Sequence, residues 1–568
     1  MQNLENNDLP RLAGVDEDID GQLSLSRRGF LRGISGAAAL GAAGVAVTTA
    51  ELVAPDAAEA IDVSGNPGTR RSAAAQIRRD AANYHRRQDI PEHATNGDEE
   101  RYSDLRAQYS KTMPHNDLGE PDKAAYDLFV AAAASGDSAD WRAVPQGGVG
   151  RQVSPQGGTM FDLEGADSHR HYLRPAPSFR SAEEAGEMVE VYWQALTRDV
   201  PFTEYGSNAS IAAAVADLNS MTDFNGPKVG SNVTTGTLFR GNTPGDLTGP
   251  YISQFLWANI PYGPHTVVQT YRTPPAGQDH MTTYAEWLNV QRGGAPTGVQ
   301  TFGTARYLAN GRDLSEWLHR DFTYQGFLNA ALIILGYGGG ALDPNNPYRS
   351  TGFANQAAFV SFGGPDILDL VAKAGNAGLR AAWFQKWRVH RRLRPEVFGG
   401  RIHNHITGAK SYDIHPDVLN SDAAAAVFSA HGNYLLPMAF PEGSPAHPAY
   451  PAGHATISGA CTTILKAFFN EAFVIPSAVE ANADGSALNP YTGGSLTVGG
   501  ELNKLAANIS LGRDTAGVHW RSDGIDGLLL GEQVAINLLR DHVTTYTESG
   551  FAGFTFTSFG GQTITIAP

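Results

Sequence analysis

Apolar residues recur at helical spacing along most of the chain. The segment from Ser181 to Val200 has a serine ahead of its first apolar residue, acidic residues in its first turn and apolar residues on one face. This pattern is typical of an amphipathic helix with a capped N-terminus. Similar patterns predict helices at about 120–134, 304–320, 323–336, 378–393, 455–473 and 523–541. The hydrophobic pattern therefore predicts an all-α, mainly helical fold.

Strand-like alternation is confined to short segments. The segment "FTFTSFGGQTITI" near the C-terminus alternates apolar and polar residues, and it predicts a hairpin that turns at Gly560–Gly561. Loops rich in Gly, Pro, Asn and Thr separate the helices, with a long one near 220–280. We therefore expect residues 61–568 to form one large helical domain built from packed bundles, with minor β-hairpins.

The pattern of the first sixty residues predicts a targeting signal. Arg27 and Arg28 precede a weakly apolar stretch of Ala, Gly and Val, and Ala58–Ala60 offers a small-residue cleavage site. Paired arginines ahead of an apolar region are typical of a twin-arginine export signal. An Ala/Gly-rich tail without a targeting role is the alternative. We expect residues 1–60 to be the signal, cleavage near Ala60, and a periplasmic or extracellular location.

The composition of the chain limits the kinds of partner that we expect it to bind. The chain has 568 residues, 42% hydrophobic and 18% charged, and a net charge of -16. An acidic chain is unsuited to general nucleic-acid binding, which needs a basic face. No segment after residue 60 reaches the ~18 continuous apolar residues of a membrane span. The single cysteine, Cys461, excludes an intrachain disulfide and is expected to be buried. We expect neither nucleic acid nor membrane as a partner.

A run of basic residues follows Trp383 in "WFQKWRVHRRLRPE". Lys386 and Arg394 are eight residues apart, which is about 12 Å of rise along a helix. Because Pro395 disfavours helical geometry in the residue before it, we expect the helix to end at Arg394 and to turn that arginine inward. A solvated basic surface is the alternative interpretation of this segment alone.

Two later segments carry histidines. In "YPAGHATISG", Gly453 and His454 stand where a helix begins, and the unpaired first-turn amides of a helix form an anion site. His454 is well placed there as an acid-base group. In "LGRDTAGVHWRSDG", Asp523 follows His519 by four residues and is within reach of its second imidazole nitrogen, and Arg513 precedes it. Taken singly, these segments also fit an exposed helix start and a polar surface.

Together the three segments predict a pocket for a tetrahedral, highly charged oxyanion. Arginine side chains recognise such oxygens bidentately, and lysine supplies a point charge. Because the protein as a whole is acidic, its overall composition does not account for a concentrated cluster of basic residues, which therefore favours a binding site.

The spacing Lys-x7-Arg-Pro, Pro-x-Gly-His and Arg-x5-His resembles the signature of the vanadium-dependent haloperoxidases, whose superfamily includes the type-2 phosphatidic acid phosphatases. The segments "WFQKWRVHRRLRPEVFGGR", "TMPHNDLGE", "PQGGTMFDLEG", "EMVEVYWQALTRDVPF" and "EWLHRDFTYQGFLNAALIILGYG" are similar to the algal bromoperoxidases of that family. The likeness extends from about Tyr109 to about Leu539. It implies two four-helix bundles with vanadate (V) bound in a cleft.

The resemblance also implies a role for each site residue. His519 would ligate vanadium and His454 would act as acid-base catalyst. Among the groups around the vanadate oxygens, Gly453 would donate its backbone amide, and the basic side chains would neutralise charge: Lys386, Arg394 and Arg513. His447 and Trp383 would border the halide. Hydrogen peroxide would lose a proton to His454 and be polarised by Lys386, and vanadium(V) would act as a Lewis acid.

One position departs from the family pattern. Most relatives have serine immediately before the Gly-His pair, whereas this chain has Ala452. A hydrogen bond to a charged group contributes about 1.5–3 kcal/mol. We therefore expect weaker vanadate binding from the missing hydroxyl, with the reaction class unchanged.

Two other functions fit the same pocket. A histidine-dependent acid phosphatase would use His519 as nucleophile and His454 as proton donor, and an exported oxyanion-binding protein would have no turnover. The extended likeness to the algal enzymes favours the oxidation of bromide, and of iodide, by hydrogen peroxide to hypohalous acid, which would halogenate a small organic acceptor.

Assembly into a homo-oligomer is expected by analogy. Structural calcium is a further expectation from the resemblance. Glu164 and Asp167 are candidate ligands, with an ordinary loop that holds no ion as the alternative. His403 and His405 are expected in a loop and are interpreted as structural.

Overall fold

A computed structural model of the protein describes residues 67–568. The expected signal, with Arg27, Arg28 and the cleavage site at Ala60, lies outside the described residues. In the described part the chain forms sixteen α-helices: α1 (Pro67–Arg87), α2 (Asp98–Arg101), α3 (Lys123–Ser135), α4 (Ser138–Ala143), α5 (Ala182–Thr197), α6 (Ala209–Ser220), α7 (Tyr284–Gln291), α8 (Gly311–Arg320), α9 (Gln325–Gly336), α10 (Gly364–Phe384), α11 (Pro395–Ile406), α12 (Pro416–Leu419), α13 (Asp422–His431), α14 (Gly453–Phe468), α15 (Val498–Thr515) and α16 (Arg521–Val543). The mainly helical fold class is confirmed.

Strands occur only as three antiparallel hairpins within residues 67–568. They are β1 (Ile260–Tyr262) with β2 (His265–Val267), β3 (Val479–Ala481) with β4 (Leu488–Pro490), and β5 (Phe554–Thr557) with β6 (Thr563–Ile566). Phe554 pairs with Ile566 and Thr557 with Thr563, so the predicted C-terminal hairpin is confirmed. None of the helices in this part of the chain is both long and apolar enough to cross a membrane.

The helices pack into two groups, each with its own apolar core. The first bundle consists of α10, α14, α15 and α16, with α14 in contact with the other three. The second bundle is arranged around α5, which contacts α6, α11 and α13. The two groups correspond to the expected pair of bundles. Residues from both cores meet at the N-termini of α14 and α16, because Ala452 belongs to the first core and Trp520 to the second.

Several helices depart from the sequence prediction. The segment of α15 was not predicted because nearly every residue of it is buried, which removes the amphipathic pattern. The helix predicted at 378–393 begins earlier, at Gly364, and its α-helical part ends at Phe384. Helix α11 was also missed, and it carries His403 and His405, which the sequence placed in a loop.

Candidate active site

The basic segment after Trp383 forms an irregular end to α10. Residues Gln385–His390 continue it as a π-helix, a form often found at functional sites. Lys386 lies in this segment with its side chain fully buried, and its Nζ donates to the carbonyls of Pro448 and Ala449 at 2.7 and 2.6 Å. One turn earlier, the Trp383 ring packs on His447 with centroids 4.7 Å apart.

Arg394 reaches the site from a different backbone geometry than expected. The π-helix ends at Arg391, whose left-handed conformation (φ 43°) reverses the chain. The prediction that the helix runs on to Arg394 is wrong: Arg394 is extended and precedes α11, and Pro395 occupies the first helical position, where its missing N–H costs nothing. The prediction that Arg394 turns inward is confirmed, because it is only 1% exposed.

The Arg394 guanidinium contacts two imidazoles. Its Nη1 donates to His519 Nε2 at 3.0 Å, and its Nη2 donates to His447 Nδ1 at 3.0 Å. Further bonds go to the carbonyls of Val518 and His447. The arrangement leaves both accepting ring nitrogens without a proton.

His519 is held by the carboxylate that its sequence spacing suggested. The ring Nδ1 donates to Asp523 Oδ2 at 2.7 Å, and Asp523 is fully buried at the start of α16. Burial first, and then Arg394, Lys386 and Arg513, hold the pKa of His519 well below its usual 6.5. His519 is therefore a neutral imidazole with its Nε2 lone pair on the side of the cations, a suitable ligand for a metal centre.

Arg513 stands near the end of α15. Its Nη1 donates to the carbonyl of Leu318 at 2.8 Å, and the guanidinium lies over the Phe440 ring at 5.6 Å. Its Nε–H is buried and has no partner within the described part of the protein. An unpaired charged donor in the interior is costly unless a ligand satisfies it.

The N-terminus of α14 forms another wall of the site. Ala452 precedes the helix and offers no side-chain cap, so first-turn amides remain available. A Cβ on Gly453 would lie 3.1 Å from the Trp383 ring, which explains the glycine. His454 Nε2 bonds to Asp321 Oδ1 at 3.1 Å, and its side chain is 28% exposed, in contrast to the buried cations.

Charge balance is the strongest feature of the pocket. None of the three buried cations, Lys386, Arg394 and Arg513, forms a salt bridge with any carboxylate of residues 67–568. Burial lowers the pKa of each of them, and their mutual repulsion adds to the effect for Lys386 and for Arg394. The pKa of Arg394 falls to about 10. The pocket thus carries a concentration of positive charge without salt-bridge partners, which an oxyanion would neutralise.

The residues present fit vanadate. Arg513 Nε lacks an acceptor, Lys386 uses two of its three N–H donors, and the first turn of α14 adds amide donors. His519 supplies a neutral nitrogen. This set matches an anion with several oxygens and one open coordination position.

The structure brings together most of the sequence-predicted site residues. Direct contacts link Arg394 with His519 and His447, and Trp383 with His447 and Gly453. Sequence reasoning missed Asp321 and Phe440, since neither lies in the three motifs. Asp321 directly follows the helix of "EWLHRD", and the available signals were its acidic side chain beside a basic pair and its place in a segment that resembles the algal bromoperoxidases.

The candidate calcium ligands and the paired histidines have other contacts. Glu164 bonds to His542 and Lys373, and Asp167 accepts from the Asp162 amide. No group of three or more His, Cys, Asp or Glu side chains in residues 67–568 is arranged to hold a metal ion. Bound calcium therefore stays a prediction. His403 and His405 accept backbone N–H groups.

Known proteins are similar to this chain in sequence and in fold. The family model of the VCPO second helical-bundle domain matches residues 370–548. The vanadium-dependent bromoperoxidase of Corallina pilulifera is 37% identical over 547 residues, covering 81% of this chain and 91% of that protein. The one from Ascophyllum nodosum is 36% identical over 81% of this chain and 86% of that protein.

A solved structure extends the comparison to three dimensions. The homohexameric second vanadate-dependent bromoperoxidase of Ascophyllum nodosum aligns with a TM-score of 0.85 and 31% sequence identity, over 88% of this chain and 91% of that chain. With relatives this similar over most of its length, the chain belongs to the vanadium-dependent haloperoxidase family and resembles the algal bromoperoxidases within it.

Proposed function

We propose that this haloperoxidase oxidises bromide, and also iodide, with hydrogen peroxide to hypohalous acid, which halogenates small organic acceptors. The observation that carries the proposal is the set of three buried cations, without salt-bridge partners in residues 67–568, close enough to His519 to lower its pKa, with Arg394 bonded to its Nε2. A bound oxyanion would balance this charge.

The cofactor assignment follows from the donors. His519 Nε2 would ligate the metal, while Lys386, Arg394, Arg513 and the Gly453 amide would hold the vanadate oxygens. Vanadate, when bound, supplies a Lewis-acidic vanadium(V) centre that activates hydrogen peroxide without changing oxidation state.

His454 is the group placed to move a proton. It is the most exposed member of the site, and Asp321 accepts from its Nε2, which leaves Nδ1 free to take the first proton of hydrogen peroxide. The Lys386 ammonium would donate a hydrogen bond to the activated oxidant. The His447 and Trp383 rings pack together and would form the halide side of the pocket.

Reconstitution tests the proposal. Metal-free protein should brominate a phenolic indicator with peroxide and bromide only after vanadate is added, and His519→Ala should abolish both vanadate binding and bromination. His171→Gln is a matched control, since His171 is equally buried but lies outside the pocket. Titration of chloride, bromide and iodide at fixed peroxide then gives the halide preference.

Each alternative function predicts a different result. Bromination that is indifferent to vanadate would overturn the proposal. Hydrolysis of a phosphate ester by the metal-free protein, without bromination, would identify a phosphatase that uses the same pocket. Vanadate binding without either activity would identify a binding protein.

We also propose that the protein is exported through the twin-arginine pathway and assembles as a homo-oligomer. The paired arginines of the N-terminal segment support the first proposal. The homohexameric relative supports the second. Light scattering of the purified protein measures the number of subunits directly.

A further inference from the structure

A buried ionic network lies behind the proposed vanadium ligand. Helix α5 places Glu184 and Glu187 three residues apart on one face, and both side chains bond to Arg392. Arg392 is 2% exposed in its side chain and lies over the Trp520 ring at 4.8 Å. Arg392 and Glu187 lie within segments that resemble the algal bromoperoxidases, but none of the three residues is among those that line the pocket.

Arg392 connects this network to the site through a single carboxylate. Its Nη1 donates to Asp523 Oδ1 at 2.8 Å, while the other oxygen of Asp523, Oδ2, accepts from His519 Nδ1 at 2.7 Å. The same Nη1 donates to the Ser522 hydroxyl at 2.8 Å. Asp523 is therefore fixed at both oxygens: Oδ1 accepts from Arg392, and Oδ2 accepts from the imidazole and, at 3.3 Å, from the Trp520 amide.

Glu187 closes the network from the far side. It accepts from the Ser522 amide at 2.7 Å and from the Ser522 hydroxyl at 2.8 Å. Burial raises the pKa of Glu184 to about 8 and that of Glu187 to about 7, although Arg392 lowers both. The first turn of α16, which carries Asp523, is thereby tied to α5.

We propose that Arg392, held by Glu184 and Glu187, is a positioning residue that acts through Asp523 to fix the His519 ring with its Nε2 toward the oxyanion pocket. Loss of Arg392 leaves Asp523 Oδ1 without its partner, and the longer bond from the Trp520 amide to Oδ2 does not by itself fix the carboxylate. Asp523 can then rotate, and the imidazole loses its fixed orientation. Residues that orient metal ligands from behind typically affect metal affinity by about 10- to 100-fold. This inference rests on the proposed vanadate site.

A comparable ion pair in the same region provides the control. Arg521 bonds to Glu190 on α5, and both side chains are 1% exposed, yet neither contacts Asp523 or His519. Arg392→Met and Arg521→Met therefore each remove a buried guanidinium that pairs with α5. A purely structural role for Arg392 predicts that the two variants behave alike.

The test is a double-mutant cycle on vanadate affinity, measured by equilibrium dialysis of metal-free protein. Arg392→Met should raise the vanadate Kd at least tenfold, with Arg521→Met changing it less than twofold. In an Asp523→Asn background, Arg392→Met should add less than twofold, because it acts through Asp523. Arg392→Lys should restore part of the affinity. Equal losses in the two methionine variants, or full additivity with Asp523→Asn, would overturn the proposal.

A second measurement does not depend on vanadate. In crystal structures of the metal-free proteins, the bond between His519 Nδ1 and Asp523 Oδ2 should be lost in Arg392→Met and retained in Arg521→Met. A wild-type protein that binds no vanadate would overturn the proposed function alone, since these structures still decide the positioning role. Retention of the bond in Arg392→Met would overturn the inference.

Discussion

At the scale of single residues, the site combines neutral imidazoles with fixed cations. Burial and the neighbouring cations lower the pKa of both His519 and His447 well below the usual value. Both imidazoles therefore stay neutral at neutral pH, and each accepts from Arg394 at one ring nitrogen. Ala452 stands directly before α14 and offers that helix N-terminus no hydroxyl, at the position where the resemblance leads us to expect serine.

Ala452→Ser should tighten vanadate binding. A new hydroxyl donor to a charged oxygen is worth about 1.5–3 kcal/mol, or roughly tenfold or more in Kd. Ala452→Cys is a matched control of similar size with a weaker donor, and its Kd should stay close to that of the wild type. Equilibrium dialysis measures both. A serine variant that gains only thermal stability would show that the hydroxyl caps α14 and does not reach the anion.

Sequence reasoning located the pair of His519 and Asp523 because only four residues separate them, and the first turn of α16 brings Asp523 back to the ring of His519, which precedes the helix. It could not locate the bond between His454 and Asp321, since 133 residues separate them and only tertiary packing brings them together. The link from Arg392 to Glu184 and Glu187 was hidden for the same reason.

At the scale of elements, the position of the two histidine-bearing segments depends on close packing of α14 against α16. The helices approach through glycines: a Cβ on Gly459 would lie 2.1 Å from the Leu528 carbonyl, and one on Gly531 would lie 2.1 Å from that of Thr456. Helix α14 begins with Gly453 and His454, and α16 begins just after His519. Any separation of the helices therefore moves the two sides of the pocket apart.

Gly531→Ala should lower the melting temperature and weaken vanadate binding together. The added methyl group meets backbone atoms of α14, and overpacking of this kind costs about 1–3 kcal/mol or more. Gly364→Ala, at the start of α10, is the control, because the nearest atom to its Cβ would be 3.6 Å away. Calorimetry and dialysis of both variants check this. A Gly531→Ala protein with unchanged stability would contradict the packing argument.

Whether a helix could be predicted from the sequence depended on how much of its surface is buried. Helix α5 was found because its cap, Ser181, and its acidic first turn are clear local signals. Helix α15 was missed because burial on all sides leaves no polar face to reveal its period. The end of α10 was placed too late, since the left-handed Arg391 is imposed by tertiary contacts, including the bond from the Tyr109 amide to its carbonyl.

At the scale of the whole molecule, an ionic cluster joins segments that are distant in sequence. His542 on α16 bonds to Glu164 in the loop before α5 at 3.0 Å and to Asp366 on α10 at 3.2 Å. Burial lowers the pKa of His542, but the two carboxylates raise it more, to about 9. The cluster therefore contributes stability only while His542 is protonated.

The protein should lose stability as pH rises toward 9. A raised folded-state pKa means that the contribution is fully present below the ordinary value of 6.5 and is lost as pH passes about 9. The shift corresponds to about 3 kcal/mol. Thermal unfolding between pH 6 and 10 should show a steeper decline for wild type than for His542→Gln. His403→Gln, whose histidine pairs with no carboxylate, should keep the wild-type slope; equal slopes in all three would contradict this assignment.

Export should depend on the paired arginines. Replacement of Arg27 and Arg28 by lysine should leave the full-length chain in the cytoplasm, because the twin-arginine pathway requires that pair. Wild type should yield a mature protein that begins near Ile61. Cell fractionation and N-terminal sequencing measure both, and Arg32→Lys is the matched control. Export of the double-lysine variant would contradict the proposed route.

The three pocket cations that form no salt bridge to a carboxylate in the described residues have a practical consequence for purification. Inorganic phosphate has nearly the same shape and charge as vanadate, and any ligand that binds only the folded protein raises its apparent stability with concentration. Protein handled in a phosphate buffer will be protected against heat yet slow to acquire its metal. Across a series of buffers with increasing phosphate concentration, we therefore expect the melting temperature to rise while the rate at which added vanadate restores activity falls.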